Sequence, residues 1–157
     1  MAFRGTTQEV DPTGRSAKDG GAKLDAGKIM ASLLLDFAEA LEEVAKVSTA
    51  GAEKYSRGGW QTVPNGITRY EDAKWRHILK QRTEGVFDED FLKVGKKIRH
   101  DAQEAWNILA ALTLRIRAEK AAARGEDVPA YAVDVVVARP MSVDEMLTLE
   151  PGALIRG

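Results

Sequence analysis

The feature that most restricts the fold is a run from His100 to Arg124 that contains neither Gly nor Pro. Gly125 follows it and is a typical residue for the end of a helix. In and just before this run, apolar residues recur at the three- and four-residue spacings of a helix with one buried face. They are Ile98, Ala102, Ala105, Leu109, Leu112 and Ile116. The pattern predicts a long helix that begins between Phe91 and Lys96, ends near Arg124 and buries this face.

A second stripe on the same helix changes character along its length. His100, Glu104, Asn107 and Ala111 follow one ridge at spacings of three and four residues, polar first and apolar later. This order is typical of a helix that enters a core from a polar cavity. We therefore expect the first turns of this helix to line a functional site.

Two further helices are predicted earlier in the chain. Residues 31–49 place apolar side chains on one helical face, namely Leu34, Ala38, Leu41 and Ala45. The segment Thr68-Arg69-Tyr70-Glu71 matches a capping box, which marks the start of a helix. The fold class is therefore all-α, with principal helices near residues 30–50, 68–84 and 93–124.

The two ends of the chain differ from its centre. Residues 1–21 are rich in Gly, Thr, Asp and Ser, which predicts a flexible arm before a helical domain over residues 22–125. Within the tail, 126–157, the stretch 131–138 is typical of a strand, and residues 142–145 match the start of a short helix. A single strand needs a partner, so we expect the tail to contact another copy of the chain.

Composition excludes several classes of function. The 157 residues suffice for one domain with its own core, and the absence of Cys excludes disulfides and thiolate metal sites. The formal net charge of −1 gives no general attraction to nucleic acid or to a membrane surface. No apolar run approaches the roughly 18 residues that span a bilayer, and the N-terminus lacks the apolar part of a secretion signal. We expect a cytoplasmic protein that binds neither membranes nor nucleic acid directly.

Three acids on the first helix are candidate metal ligands. Glu39 and Glu42 lie one turn apart, and Glu43 is adjacent to this pair. Paired carboxylates suit a hard divalent cation, which prefers several oxygen ligands. A solvated helix face produces the same pattern and is the commoner reason for acids on a helix. Both interpretations stay open from the residues alone.

Cations and aromatic rings gather where the first helix ends. Lys54, Tyr55, Arg57 and Trp60 lie beside Gly58-Gly59, which interrupts the helical period. Such a cluster can bind a phosphate group and stack a base. The alternative is a loop whose rings fill the core.

The next helix carries a charged edge. Arg69, Asp72, Arg76 and His77 recur at spacings of three and four residues. Arg76 and His77 can bind phosphate while Asp72 orients one of them. The alternative is an ion pair within the helix, with His77 buried as a hydrogen-bonded core residue.

Four short segments follow one another along the chain: Lys23-x-Asp25-x-Gly27-Lys28; Gly51-Ala52-x-Lys54-Tyr55 with Trp60; Arg69-Tyr70-x-Asp72-Ala73-x-x-Arg76-His77; and Trp106-Asn107. Together they resemble a family of small phage-encoded dATP/dGTP diphosphohydrolases related to MazG-like all-α NTP pyrophosphohydrolases. The resemblance extends over about residues 22–116. It implies a MazG-like helical bundle, completed by helices from two chains of a homodimer or tetramer.

The resemblance also implies an activity and a cofactor. The expected reaction converts dGTP or dATP to the monophosphate and pyrophosphate with Mg²⁺ or Mn²⁺. The MazG-like superfamily holds its metal with Glu-x-x-Glu on one helix and Glu-x-x-Asp on a later one. Glu39-x-x-Glu42, with Glu43 beside it, resembles the first motif, and Glu104-x-x-Asn107 resembles the second.

Individual roles follow from the same resemblance. Asn107 stands where the superfamily has an acid, and Asp101 is the candidate substitute for that ligand. Glu43 and Glu104 are the expected catalytic acids. The expected substrate-binding residues are Lys23, Lys28, Lys54, Tyr55, Trp60, Asp72, Arg76, His77 and His100. No role is assigned to the acidic loop from Glu84 to Asp90.

Two other functions remain open. His77 and the dipeptide His100-Asp101 imitate part of an HD-type phosphohydrolase site, whose members release triphosphate or single phosphates from nucleotides. A non-catalytic helical binding or assembly protein is the other alternative, supported by the tail. Incubation with dGTP, dATP and Mg²⁺, followed by chromatography of the products, separates all three.

Overall fold

The computed structural model describes residues 10–135, which fall into two compact units that meet in sequence between Ala38 and Glu39. The first unit ends in a 3-10 helix, Ala31–Phe37. The second unit contains the four α-helices: α1 (Ala38–Lys54, whose first residue belongs to the first unit), α2 (Gly66–Glu84), α3 (Glu89–Leu92) and α4 (His100–Ala123). Further 3-10 turns cover Gly59–Thr62 and Ala130–Ala132. The prediction of an all-α fold is confirmed, and among the described residues no helix is long and apolar enough to cross a membrane.

Three helix starts differ from the prediction. α1 begins at Ala38 rather than near residue 30, because the preceding segment forms the 3-10 helix Ala31–Phe37. α4 begins at His100 rather than between Phe91 and Lys96, because Arg99 is extended and pairs with Phe87 in an isolated antiparallel bridge. The preceding residues form the separate helix α3, and Gly95 turns the chain with a φ of 74°. α2 begins at Gly66, after Asn65 as its N-cap, so the predicted capping box lies inside the first turns of the helix.

The strand predicted for residues 131–138 is also wrong over its described part. Pro129 opens a 3-10 turn in which the amide of Ala132 donates to the carbonyl of Pro129 at 2.8 Å. This turn buries Ala132 completely against α2 and α4, which favours a tight turn over an extended strand. Residues 136–138 and the short helix predicted at 142–145 lie outside the described residues.

α2 and α4 pack antiparallel, since Gly66 at the start of α2 touches Leu114 while His77 near its end meets His100. Ile67, Leu114, Ala118 and Ala132 form a fully buried apolar cluster. A Cβ on Gly66 would lie 3.0 Å from Leu114 Cδ1, so the helices depend on glycine for this close approach. The partly buried rings of Trp60, Tyr70 and Tyr131 cover the cluster.

The buried face of α4 differs from the predicted one. Leu109 and Leu112 are each 48% exposed and Ile116 is 40% exposed, although all three were assigned to the core. The ridge that contains His100, Asn107 and Ala111 faces α2 instead, because those positions meet the antiparallel partner helix. This face, which carries Leu109, Leu112 and Ile116, is therefore exposed in the part of the chain that the structure describes.

Candidate active site

The polar end of the α2–α4 pair contains both histidines of the chain. His77, in the last two turns of α2, faces His100, the first residue of α4. Their Nδ1 atoms are 3.1 Å apart, and His100 is 0% exposed. Since each neutral imidazole has one donor and one acceptor nitrogen, this contact joins a donor to an acceptor unless a cation lies between them.

Asp88 adds a buried carboxylate to this pair. The loop between α2 and α3 brings its Oδ2 atom to 4.0 Å from His100 Nδ1. Gln103 Nε2 donates to the same oxygen at 3.0 Å, and the amide of Asp90 donates to Oδ1 at 3.0 Å. Within residues 10–135, one set of three or more His, Cys, Asp or Glu side chains has its ligand atoms within 4.8 Å of one another. Its members are His77, Asp88 and His100. We call this set the His–Asp–His cluster, and it can hold a metal ion.

A second layer of charge surrounds the cluster. Glu84 Oε2 lies 3.3 Å from His100 Nε2, a buried nitrogen that has no hydrogen bond of good geometry. Lys80 Nζ lies 3.1 Å from Glu84 Oε1 and 3.7 Å from Asp90 Oδ2. The lysine therefore offsets the negative charge of the loop and holds Glu84 beside the imidazole.

Electrostatics keep His77 and Asp88 in the forms that bind a metal at neutral pH. Burial, followed by the neighbouring His100, lowers the pKa of His77 to about 4. Burial by itself would raise the pKa of Asp88, but hydrogen bonds from Gln103 and the Asp90 amide leave it below the ordinary value. A neutral imidazole and an ionised carboxylate are the forms that bind metals.

Glu104 lies one helical turn beyond His100 on α4. Its Oε1 atom is buried and has no hydrogen-bond partner. Burial, and then the charge of Asp101, raises the pKa of Glu104, while His100 and Lys74 act in the opposite direction. An inward carboxylate oxygen without a donor is unusual and is a position where a cation or a protonated group would bind favourably.

The α1 acids lie in more open surroundings. Glu39 and Glu42 are exposed, and Glu43 pairs with Lys46 at 2.6 Å. Glu42 lines a cavity of about 400 Å³ together with Glu53, whose carboxylate pairs with a lysine from the loop after α3. The charges that act on Glu104 come from Asp101, His100 and Lys74. A shared site of Glu104 with these acids stays a prediction.

The remaining acid and amide of the predicted metal site have partners of their own. Two hydrogen bonds from Arg99, at 2.8 and 2.6 Å, hold the Asp101 carboxylate and lower its pKa. Asn107 is buried, and its Nδ2 donates to the carbonyl of Gln103 at 2.8 Å. In an HD-type site the acid next to the histidine would bind the metal, whereas here the carboxylate that lies close to both histidines is that of Asp88.

A cavity of about 1030 Å³ opens where α1, α2 and α4 approach one another. Its lining includes three aromatic rings in edge-to-face contact, with centroids 5.5 to 6.5 Å apart: Trp60, Tyr70 and Trp106. Tyr55, 77% exposed, and two arginines, Arg57 and Arg69, also line it. Hydrogen bonds fix two of the rings, since Tyr70 Oη donates to the Trp60 carbonyl at 2.9 Å and Trp106 Nε1 donates to Ser48 Oγ at 2.8 Å.

The other predicted substrate residues are dispersed. Lys54 sits over the Tyr55 ring, 5.2 Å from its centroid, but does not line the cavity. Asp72 and Arg76 are exposed on α2, and neither forms an ion pair within the described part of the chain. Lys23 pairs with Asp25 at 3.1 Å in the first unit, which also contains Lys28.

Sequence reasoning missed Asp88, Glu84 and Gln103. Asp88 was seen only as part of an acidic loop, because the bridge that folds the loop onto α4 leaves no periodic signal. Glu84 and Gln103 lie in helices and gain their roles only from the histidines beside them. Arg69 and Tyr70 were quoted for their place in a motif, and the structure adds them to the cavity.

Comparison with known families agrees with the four segments seen in the sequence. The family model described as dATP/dGTP diphosphohydrolase, N-terminal, matches residues 18–124, which include the cavity, the His–Asp–His cluster and Glu104. Neither the curated proteins nor the solved structures give a match. The resemblance to these diphosphohydrolases is thus confirmed, whereas a phage origin and a MazG-like relationship stay predictions. This chain belongs to the dATP/dGTP diphosphohydrolase N-terminal family, a family of nucleotide hydrolases.

Proposed function

We propose that this protein hydrolyses dATP and dGTP between the α- and β-phosphates, releasing the monophosphate and pyrophosphate, in a reaction that requires a divalent cation. The observation that carries the proposal is the cavity lined by aromatic rings and arginines. Its volume of about 1030 Å³ is at the upper end of the range of ligand pockets, which is roughly 300–1,000 Å³. An apolar pocket with a few charged groups at its edge is suited to a base attached to phosphates.

Base and phosphates would use different parts of this cavity. Tyr55 and Trp60 offer ring faces or edges to a purine, and stacking of this kind is worth about 1–3 kcal/mol per base. Arg57 and Arg69 supply cations for phosphate oxygens, which guanidinium groups bind in a bidentate manner. Lys54, beside Tyr55, can reach the outer phosphates.

We assign a further contact to phosphate to Arg76 on α2. Lys23 and Lys28, which belong to the first unit, and Asp72 stay predictions. We assign no substrate contact to His100, because it is fully buried and cannot touch a nucleotide directly.

The cation is proposed to be Mg²⁺ or Mn²⁺, held by Glu104 together with Glu39 and Glu43. The unpartnered inward oxygen of Glu104 fits such a role, because a cation would satisfy it. Glu42, Asp101 and Asn107 complete the proposed ligand set. When bound, a divalent cation neutralises phosphoryl oxygens and makes the attacking water more acidic. The helices would contribute positioning, and Glu104 would serve as the proton acceptor.

An oligomer is the expected assembly. The exposed apolar stripe of α4, Ile108, Leu109, Leu112 and Ile116, would be covered by a second copy of the chain. Light scattering at micromolar concentration should therefore give at least a dimer. A monomer at that concentration would contradict this part of the proposal.

The activity is tested by incubating untagged protein with dGTP or dATP and either Mg²⁺ or Mn²⁺. Anion-exchange chromatography should show the monophosphate and pyrophosphate in equal amounts. Triphosphate plus nucleoside would indicate HD-type chemistry, and orthophosphate, in the absence of contaminating pyrophosphatase, would indicate removal of single phosphates. Binding without turnover would favour the non-catalytic alternative.

A further inference from the structure

The His–Asp–His cluster is not used by the nucleotide chemistry proposed above. We propose that His77 Nδ1, His100 Nδ1 and Asp88 Oδ2 bind one transition-metal ion, such as Zn²⁺, Co²⁺ or Fe²⁺, in preference to Mg²⁺. This site is separate from the carboxylate site assigned to Mg²⁺ or Mn²⁺. It stands on the geometry of the cluster and does not depend on the proposed function.

The spacing of the imidazoles fits a shared ion. Two nitrogens bound at about 2.0–2.1 Å to one ion lie about 2.8–3.4 Å apart at octahedral or tetrahedral angles. The observed distance between His77 Nδ1 and His100 Nδ1 is 3.1 Å. Asp88 Oδ2 is 4.0 Å from His100 Nδ1, so all three atoms can approach the same point.

The surroundings of His100 direct its lone pair into the cluster. Its other nitrogen, Nε2, is buried and faces Glu84 Oε2 at 3.3 Å. A carboxylate beside a ring nitrogen favours the proton on that nitrogen, which leaves Nδ1 free to accept. The same order of carboxylate, imidazole and metal orients ligating histidines in many metal sites. Gln103 and the Asp90 amide fix the Asp88 carboxylate in a similar way.

The donor set decides the class of metal. Two imidazoles and one carboxylate match the sites of zinc enzymes and of non-haem iron proteins, which leave further positions open for water or substrate. Mg²⁺ prefers oxygen ligands and would gain little from two ring nitrogens. The alternative is a metal-free His77–His100 hydrogen bond, which requires the proton on His77 Nδ1.

The composition makes a direct test possible. The chain has two histidines and no Cys, so an ion bound through imidazole in untagged protein must use this cluster. Chelator-treated protein is titrated calorimetrically with Zn²⁺, and ring signals of ¹⁵N-labelled histidine are recorded with Co²⁺. We expect saturable 1:1 binding of Zn²⁺ and paramagnetic shifts of both rings with Co²⁺. Mg²⁺ at the same concentrations should leave the histidine signals unchanged.

Two substitutions and a control locate the site. His77→Gln should lower the Zn²⁺ affinity at least about 100-fold, and Glu84→Gln, which removes the carboxylate behind His100, about 10–100-fold. Glu89→Gln, at an exposed acid that begins α3, should keep the parent affinity. Absence of 1:1 Zn²⁺ binding by the parent, or histidine signals that do not respond to Co²⁺, would overturn the proposal. If His77→Gln does not fold, these measurements on the parent decide it. No nucleotide is present, so failure here is distinct from failure of the hydrolase assignment.

Discussion

The two ends of the α2–α4 pair bury very different side chains. At one end Ile67 and Leu114 are 0% exposed and pack in an apolar cluster. At the other end His100, Asp88 and Gln103 are buried to a similar degree. Apolar burial stabilises a helix pair, whereas burial of polar groups costs free energy unless each is hydrogen-bonded.

Only some of the buried polar groups at the polar end have hydrogen-bond partners. Gln103 donates to Asp88, and Asn107 donates to the carbonyl of Gln103. His100 Nε2 and Glu104 Oε1 remain without hydrogen bonds of good geometry. Groups left in this state are expected where a ligand completes the site. The contrast indicates that the apolar end stabilises the fold, while the polar end is where we expect binding and chemistry.

The largest effect expected at the polar end is on turnover. Glu104→Gln should lower kcat about 10³-fold or more, because it removes both a proposed metal ligand and a proton acceptor. It should also remove most of the increase in Tm that Mg²⁺ or Mn²⁺ gives the parent. A variant that retains both its activity and the full metal-induced shift would place the site elsewhere.

The same variant should not be less stable than the parent without metal. The pKa of Glu104 is raised in the folded state, so its ionised form costs stability above that pKa. This cost disappears as the pH falls below the ordinary value of 4.5, and the Tm difference between variant and parent should shrink accordingly. Glu119→Gln, on the same helix but remote from the site, is the matched control.

At the apolar end the largest effect should be on stability. Leu114→Ala leaves a cavity at a fully buried position, and such changes lower the free energy of unfolding by about 2–5 kcal/mol. Urea denaturation measures this loss. Leu79→Ala, the same change at a side chain that is 67% exposed, should alter it by less than about 0.5 kcal/mol. Equal losses in both variants would mean that the buried cluster is not the main core.

The cavity provides a third comparison, since we propose that its residues bind substrate rather than stabilise the fold. Tyr55→Ala should raise the KM for dGTP about 5–150-fold, the equivalent of one lost stacking contact of about 1–3 kcal/mol. Tyr55→Phe keeps the ring and should stay close to the parent. Trp75→Ala removes an exposed ring outside the cavity and controls for non-specific effects. An unchanged KM for Tyr55→Ala would exclude this ring from substrate binding.

The smallest expected effect tests the close approach of the helices. Gly66→Ala places a Cβ 3.0 Å from Leu114 Cδ1 and 3.3 Å from Tyr131 Cβ, which should cost about 1–3 kcal/mol of stability. Gly51→Ala is the matched control, because a Cβ there meets nothing within 4 Å. In the last turn of α1 it should stabilise by up to about 1 kcal/mol. Chemical denaturation of the two variants should therefore give shifts of opposite sign.

Much of this protein follows from local features of its sequence. The run without Gly or Pro after His100 is long enough to enforce a helix, and Gly125 after it ends that helix. The helical class and the family follow from the same local signals and from four short segments. Tyr55 and Trp60 were recognised as one cluster because they are close in sequence, and both do line the cavity.

Tertiary structure decided which stripe of α4 is buried and which residues meet there. Two neighbouring stripes both have helical spacing, so periodicity cannot determine which one faces α2. Contact with α2 buries the stripe of His100 and leaves Leu109 and Leu112 at the surface. Asp88 joins the histidines only because the Phe87–Arg99 bridge folds its loop onto α4. Such contacts depend on how distant segments pack, and the spacing of residues along the chain carries no record of that packing.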